Sequence, residues 1–207
     1  MGQPINSFLN TVRTIAKKDR TFSIAFLSIG NPEPQFKGTR HNAGHFMVQQ
    51  LEQIFGGVGN EFQTSSCKFG ACTRLEQIYF AQSKEFMNIS GKAVRDLMKK
   101  LPNTMIVLVH DDMELGPGEI KFKLESSSFG GHNGLRDAAK HGAFARLRVG
   151  IGSPPAMDSK SVSKYVLQRV PVVHQSMIET QGVPTAVSMV ESIAKAFDKK
   201  FSLHQTE

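Results

Sequence analysis

Apolar residues along this chain follow two alternating rhythms. Phe22 to Ile29 is an almost unbroken apolar run, closed by Gly30-Asn31-Pro32, and it predicts a buried strand. Phe46, Met47, Leu51, Ile54 and Phe55 then recur at helical spacing and predict a helix over Asn42 to Phe55. Ile78 to Ala81 predicts a strand. Ser90 is placed to cap a helix carrying Val94, Leu97, Met98 and Leu101. Met105 to Val109 is a β-rich apolar run, and Ile120 to Leu124 alternates as a strand does. Asn133 to His141 reads as a short helix, Leu147 to Ile151 as a strand, and Tyr165 to Leu167 as part of a short helix. Val187, Val190, Ile193, Ala194 and Phe197 mark a final helix.

Strands alternating with helices predict an α/β fold: one domain over residues 21–207, its sheet largely parallel and covered by helices on both faces. In such sheets ligands bind beyond the carboxyl ends of the strands. Asn31 follows the first strand, Asn88 lies in the loop after the second, and His110-Asp111-Asp112 follows the third. Chain position alone therefore gathers these polar groups along one edge. Residues 1–20 stand apart as an N-terminal extension. Phe8, Leu9, Val12, Ile15 and Ala16 recur at helical spacing, opposite a basic face of Arg13, Lys17, Lys18 and Arg20. That pattern suits a mitochondrial import presequence as well as an ordinary N-terminal helix or a frayed tail, leaving the cytoplasm and the mitochondrial matrix both open.

Charge narrows the partners. Lys plus Arg exceed Asp plus Glu by seven in 207 residues, which favours an anionic partner, nucleic acid or a membrane surface first among them. The apolar runs are too short to span a bilayer, so no transmembrane helix is expected, and no membrane partner is assigned. The two cysteines, Cys67 and Cys72, have neither disulfide-framework nor C-x-x-C spacing and predict structural thiols.

Several chemistries are missing: no phosphate-binding G-x-x-x-x-G-K-[ST] loop, no G-x-G-x-x-G after a strand, and no G-x-S-x-G elbow. For a hydrolase, water activated by a general base is then the simplest nucleophile. His41, in the polar stretch Gly38 to Gly44, titrates near neutrality and is the candidate base, with Asp111 as the carboxylate that fixes its tautomer. A capping or surface histidine is the plainer reading of His41 alone. Asn31, Asn88 and Asn133 offer neutral donors for a developing oxyanion, although turn or cap duty is the commoner job of asparagine. Lys121, Lys123 and Arg148 lie on or beside strands, either as a phosphate clamp or as a solvated face. His110-Asp111-Asp112, with His132, holds metal-type ligands. No H-E-x-x-H or Cys/His spacing accompanies them, and no metal is expected.

Taken together, Ile29 to Pro32, Gly38 to Gly44, Phe86 to Val94, Val109 to Asp112, Lys121 to Leu124, Gly130 to Leu135 and Arg146 to Gly152 resemble, in order and near-family spacing, the bacterial-type peptidyl-tRNA hydrolases. The resemblance covers roughly residues 22–200. It implies a mixed, mostly parallel sheet flanked by helices, working as a monomer without a cofactor on peptidyl-tRNA, a carboxylic ester. It further implies His41 as base, Asp111 as its partner, and Asn31 holding water or the substrate carbonyl. Asn88 and Asn133 would bind peptide main chain and ester, and Met87 would line the peptide groove. Lys123 and Arg148 would grip the 5′ phosphate of the acceptor stem. Phe36 replaces the usual tyrosine near the substrate, Glu33 a glycine, and Asp112 a common glutamate. An RNA-binding relative without catalysis, a different hydrolase sharing a His–Asp edge, and a basic interaction protein are the competing readings. Ser161 to Pro171, after Pro154-Pro155 and poor in large apolar residues, is expected to form a lid over the groove.

Overall fold

Strand β1 (Ser23–Ser28) is buried at all six positions. It pairs in parallel with β4 (Ile78–Ser83) on one side and β5 (Thr104–Asp112) on the other. A strand covered on both faces must be apolar on both, which is why its sequence shows no alternation. The computed structural model describes residues 3–56, 58–124 and 129–197. With β2 (Val58–Gln63), β3 (Cys67–Cys72), β6 (Ile120–Lys123) and β7 (Ala145–Gly150), the strands form one sheet in the order β2-β3-β4-β1-β5-β7-β6. The four central strands run parallel, while β2, β3 and β6 add antiparallel edges. The sheet is thus the expected mixed one with a parallel centre.

Alternate residues of β4, β1 and β5 feed separate cores, whereas Ala145, Leu147 and Val149 of β7 all join the first. Ile24, Phe26, Val107 and Val109 face α1 (Gln3–Lys18), α2 (Ala43–Ile54) and α7 (Val183–Phe197). Ala25, Leu27, Ile106 and Leu108 face α3 (Gly91–Lys100) and α4 (Asn133–Ala138). The remaining helices, α5 (Ser159–Leu167) and α6 (Val172–Met177), follow β7, and a π-helical turn over Ile178–Gly182 joins α6 to α7.

Ser90 precedes α3 as expected but does not cap it with its side chain. Its hydroxyl turns back and donates to the Met87 carbonyl at 2.7 Å. The Gly91 N–H is taken instead by Asp137 Oδ2 of α4 at 2.9 Å, so the cap comes from a neighbouring helix. Strand β5 also runs on past Val109, because His110, Asp111 and Asp112 continue its ladder with Arg148, Val149 and Gly150.

The apolar stripe of α1 is part of the core. Ile5, Phe8, Leu9, Val12 and Ala16 are buried, and the Phe8 ring lies 4.8 Å from that of Phe122 on β6. Phe8→Ala is expected to destabilise the fold by roughly 3–5 kcal/mol in denaturant titration, the scale for deleting a buried aromatic ring. A change under about 1 kcal/mol would mean that α1 packs only loosely. Among the described residues no helix is long and apolar enough to cross a membrane.

Candidate active site

Close backbone approach sets the geometry of the site. A β-carbon on Gly44 would collide with the Val109 carbonyl, so only glycine lets the start of α2 lie directly on β5. The 3-10 turn Arg40–Asn42 precedes that contact and swings His41 over the end of β5. His41 Nδ1 there meets both oxygens of Asp111, at 2.9 and 3.0 Å, across 70 positions of sequence. Asp111 is buried, whereas His41 keeps 18% of its side chain exposed.

The structure adds a second histidine to this pair. His132 Nε2 lies 3.2 Å from Asp111 Oδ1. His132 also stands at the N-cap of α4, where its Nδ1 accepts from the Leu135 N–H at 3.3 Å. A lone pair on Nδ1 puts the proton on Nε2, so His132 donates to Asp111. Its role was not legible in the Gly130–Gly134 loop, because it depends on where α4 packs. His41, Asp111 and His132 also bring three donor atoms within 4.8 Å of one another, which is metal-like spacing. The N-cap bond works against that use, since metal binding through Nε2 would need the proton moved to Nδ1, facing another N–H.

The charges follow. Burial raises the Asp111 carboxyl, but the charge of His41 and the hydrogen bonds from both histidines outweigh it and hold the group well below the usual carboxylate range. Burial lowers His41, yet the charge and hydrogen bond of Asp111 prevail and raise it above its ordinary value. His110, sealed within the sheet beside His132, is pushed down to about 3 and stays neutral.

Asn31 is fixed by a different set of bonds. Its N–H donates to Asn42 Oδ1 at 2.8 Å, Asn42 Nδ2 donates to its carbonyl at 2.9 Å, and its own Oδ1 accepts the Met87 N–H at 3.0 Å. With Oδ1 engaged, the amide NH₂ is the end of the side chain left to offer donors. Met87 in turn packs under α4: a β-carbon on Gly134 would lie 2.5 Å from its Sδ. The turn bearing Met87 and Asn88 therefore abuts the helix start bearing Asn133, and both asparagines are exposed. Phe36 is half-buried and meets Phe86 edge-on at 6.2 Å.

A cleft of about 740 Å³ opens at this end of the sheet. His41, Asp111, His132, Asn133, Lys123 and Arg148 share its lining, whereas Asn31, Phe36, Met87 and Asn88 lie outside it. Lys123 and Arg148 are not cross-strand partners. The register pairs Lys123 with Arg146 and Lys121 with Arg148, which puts all four on one face of the β6–β7 ribbon. Arg148 is moreover engaged, its Nε donating to Asp112 and its Nη2 to Glu114, each at 2.6 Å.

The segment expected as a lid is mostly helix α5, and its far end is tied to the base-bearing loop. Buried Arg40 stacks 4.0 Å over the Tyr165 ring and donates to the Tyr165 carbonyl at 3.2 Å. The Arg40 N–H also donates to the Gln168 carbonyl, and the Val170 N–H to that of Gly38.

The family model described as peptidyl-tRNA hydrolase matches residues 25–207. The peptidyl-tRNA hydrolase of Shewanella sediminis is 36% identical over 190 residues, covering 85% of this chain and 95% of its own length. That of Methylococcus capsulatus is 38% identical over 146 residues, covering 68% and 76%. Among solved structures, the Arg119Gln mutant of the Acinetobacter baumannii peptidyl-tRNA hydrolase superposes with a TM-score of 0.69 at 29% identity, covering 86% of this chain and 93% of its own. Sequence and overall structure lead to one conclusion: this chain belongs to the peptidyl-tRNA hydrolase family.

Proposed function

We propose that this chain hydrolyses the ester joining a peptide, or an N-blocked aminoacyl group, to the 3′ end of tRNA. The observation that carries the reading is the hold of Asp111 on His41. With Nδ1 bonded to both carboxylate oxygens, Nε2 is the nitrogen left for water.

His41 Nε2 takes a proton from water as the water oxygen attacks the ester carbonyl carbon. Asp111 stabilises the imidazolium that forms. The amide NH₂ of Asn31 donates to the oxygen that gathers charge, and Asn133 and Asn88 hold the peptide main chain and the ester. The bond to the ribose 3′ oxygen then breaks, and that oxygen takes the proton from the imidazolium. Met87 and Phe36 bound the peptide side, with an edge of Phe36 where a hydroxyl would otherwise stand.

Lys123 and Arg148 grip the 5′ phosphate of the acceptor stem, which accounts for the positive surplus, because A-form RNA is read through shape and backbone. On this reading the protein acts as a monomer, and no step calls for a metal or cofactor. Its working place is the cytoplasm or the mitochondrial matrix, the latter supported by the basic face of α1.

The test is release of peptide from N-blocked aminoacyl-tRNA with chelator present, beside the unblocked aminoacyl-tRNA. Release from the blocked substrate that greatly exceeds the unblocked one is expected. No release by well-folded protein would leave an RNA-binding relative as the better account, and loss of release on adding chelator would favour a metallohydrolase.

A further inference from the structure

Arg148 reaches the cleft with its fork already occupied. Asp112 Oδ2 accepts from Nε and Glu114 Oε2 accepts from Nη2, both at 2.6 Å. A guanidinium presents its donors in one plane, and the two carboxylates fill its side-on Nε/Nη2 edge, one of the two edges that can take a pair of phosphate oxygens. The two acids are not equivalent. Asp112 is 11% exposed and also accepts the Glu114 N–H at 2.9 Å, which ties it into the turn. Glu114 is 71% exposed. Its other oxygen, Oε1, reaches toward the Gly130 loop, 3.5 Å from where a β-carbon on Gly130 would lie, at the mouth of the same cleft. Asp112 is thus a fixed partner of Arg148, and Glu114 is one that can swing into water at little loss.

We propose that Glu114 is an internal competitor for the terminal phosphate of the RNA, occupying the Arg148 fork in the free protein and giving way when the phosphate arrives. The proposal rests on Lys123 and Arg148 being the phosphate grip. Its consequence is kinetic. The 5′ phosphate is present on substrate and on product RNA alike, so a tighter grip binds both equally and speeds no chemical step. By holding the fork when it is empty, Glu114 keeps that grip weak enough for the product to leave. A 5′ monoester, carrying about −1.5 to −2 charges at pH 7, is well suited to displace a single carboxylate.

The experiment compares binding of an acceptor-stem RNA hairpin bearing either a 5′ phosphate or a 5′ hydroxyl, read by fluorescence anisotropy. Glu114→Gln is expected to tighten the phosphate-bearing RNA by roughly 2- to 5-fold, the range for freeing an exposed ion pair, and to leave the hydroxyl-bearing RNA nearly unchanged. Glu119→Gln removes an exposed acid that pairs with Lys121 at 2.7 Å, and serves as the charge-matched control. The gain should vanish when Glu114→Gln is combined with Arg148→Gln, and in turnover Glu114→Gln should lower KM without raising kcat. Equal tightening of both RNAs, or a gain matched by Glu119→Gln, would reduce the effect to general repulsion and overturn the proposal. If Arg148→Gln abolishes the phosphate preference while Glu114→Gln changes nothing, the role of Glu114 alone falls. If Arg148→Gln leaves the preference intact, the phosphate grip itself fails and the proposal with it.

Discussion

His41→Ala is expected to slow peptide release by roughly 10²- to 10⁴-fold, the contribution of a positioned general base. Affinity for tRNA should hardly change, and any loss of thermal stability should come through buried Asp111, which loses one of its two histidine partners. The side chain is 18% exposed and closes no part of either core, and its ring hydrogen bonds run to Asp111 alone. His132 does not substitute, because its Nε2 proton is committed to the same carboxylate and its Nδ1 to the cap of α4. A loss of less than tenfold, measured on N-blocked aminoacyl-tRNA, would mean that the proton goes elsewhere.

Asp111→Asn tests the other half of the pair and carries a second readout. The carboxylate accepts from two histidines at once. An amide presents one acceptor and one donor, and the donor end facing His41 Nδ1 favours the tautomer with its proton on Nε2, which is useless as a base. Losses of roughly 10²- to 10⁴-fold are the scale of a wrong tautomer in such a pair. The pH profile should move as well. In the wild type His41 titrates above 6.5, so release rises as pH climbs through that raised value and His41 loses its proton. The substituted amide would remove both influences that raise it and leave only burial, which lowers it. The acid limb should therefore shift below 6.5 even as the maximal rate falls. An unmoved acid limb would show that Asp111 does not govern the base.

The same shifts set the stability contribution of the pair, with opposite signs for its members. Asp111, depressed, contributes stability that is present above the ordinary carboxylate range and fades as pH falls through its folded value. His41, raised, contributes stability that is present below its unfolded value near 6.5 and fades as pH rises through its folded one.

What was legible in the sequence follows from burial. The central strands are apolar on both faces, and Phe22–Ile29 and Met105–Val109 stood out for that reason. Strands β2 and β3 escaped, because they form the antiparallel margin of the sheet, where β2 carries Gly59, Asn60 and Glu61 and β3 mixes Lys68 and Gly70 among its apolar positions. Helix α6, which buries no side chain, left no periodic trace. The His41–Asp111 pair was readable because motif order and the rule that ligands sit at strand ends both pointed to it. His132 was not, since its part depends on a tautomer fixed by packing. Nor was the pairing of Arg148, because Asp112 and Glu114 belong to the end of a different strand and the turn beyond it.

The docking of α1 on α7 also sets a timetable. On a ribosome, the partner of α1 emerges only after the whole stretch from Lys18 to Val183 has been made. At ~5–20 residues per second that is a wait on the order of ten to thirty seconds. Through that wait Phe8, Leu9 and Val12 sit on a newly made amphipathic helix that only Phe122 of β6, made earlier, helps to cover, open to any chaperone or receptor that reads an apolar face edged with lysine and arginine. Once α7 arrives the face closes, so anything that recognises this helix by its apolar side must do so during synthesis or after unfolding.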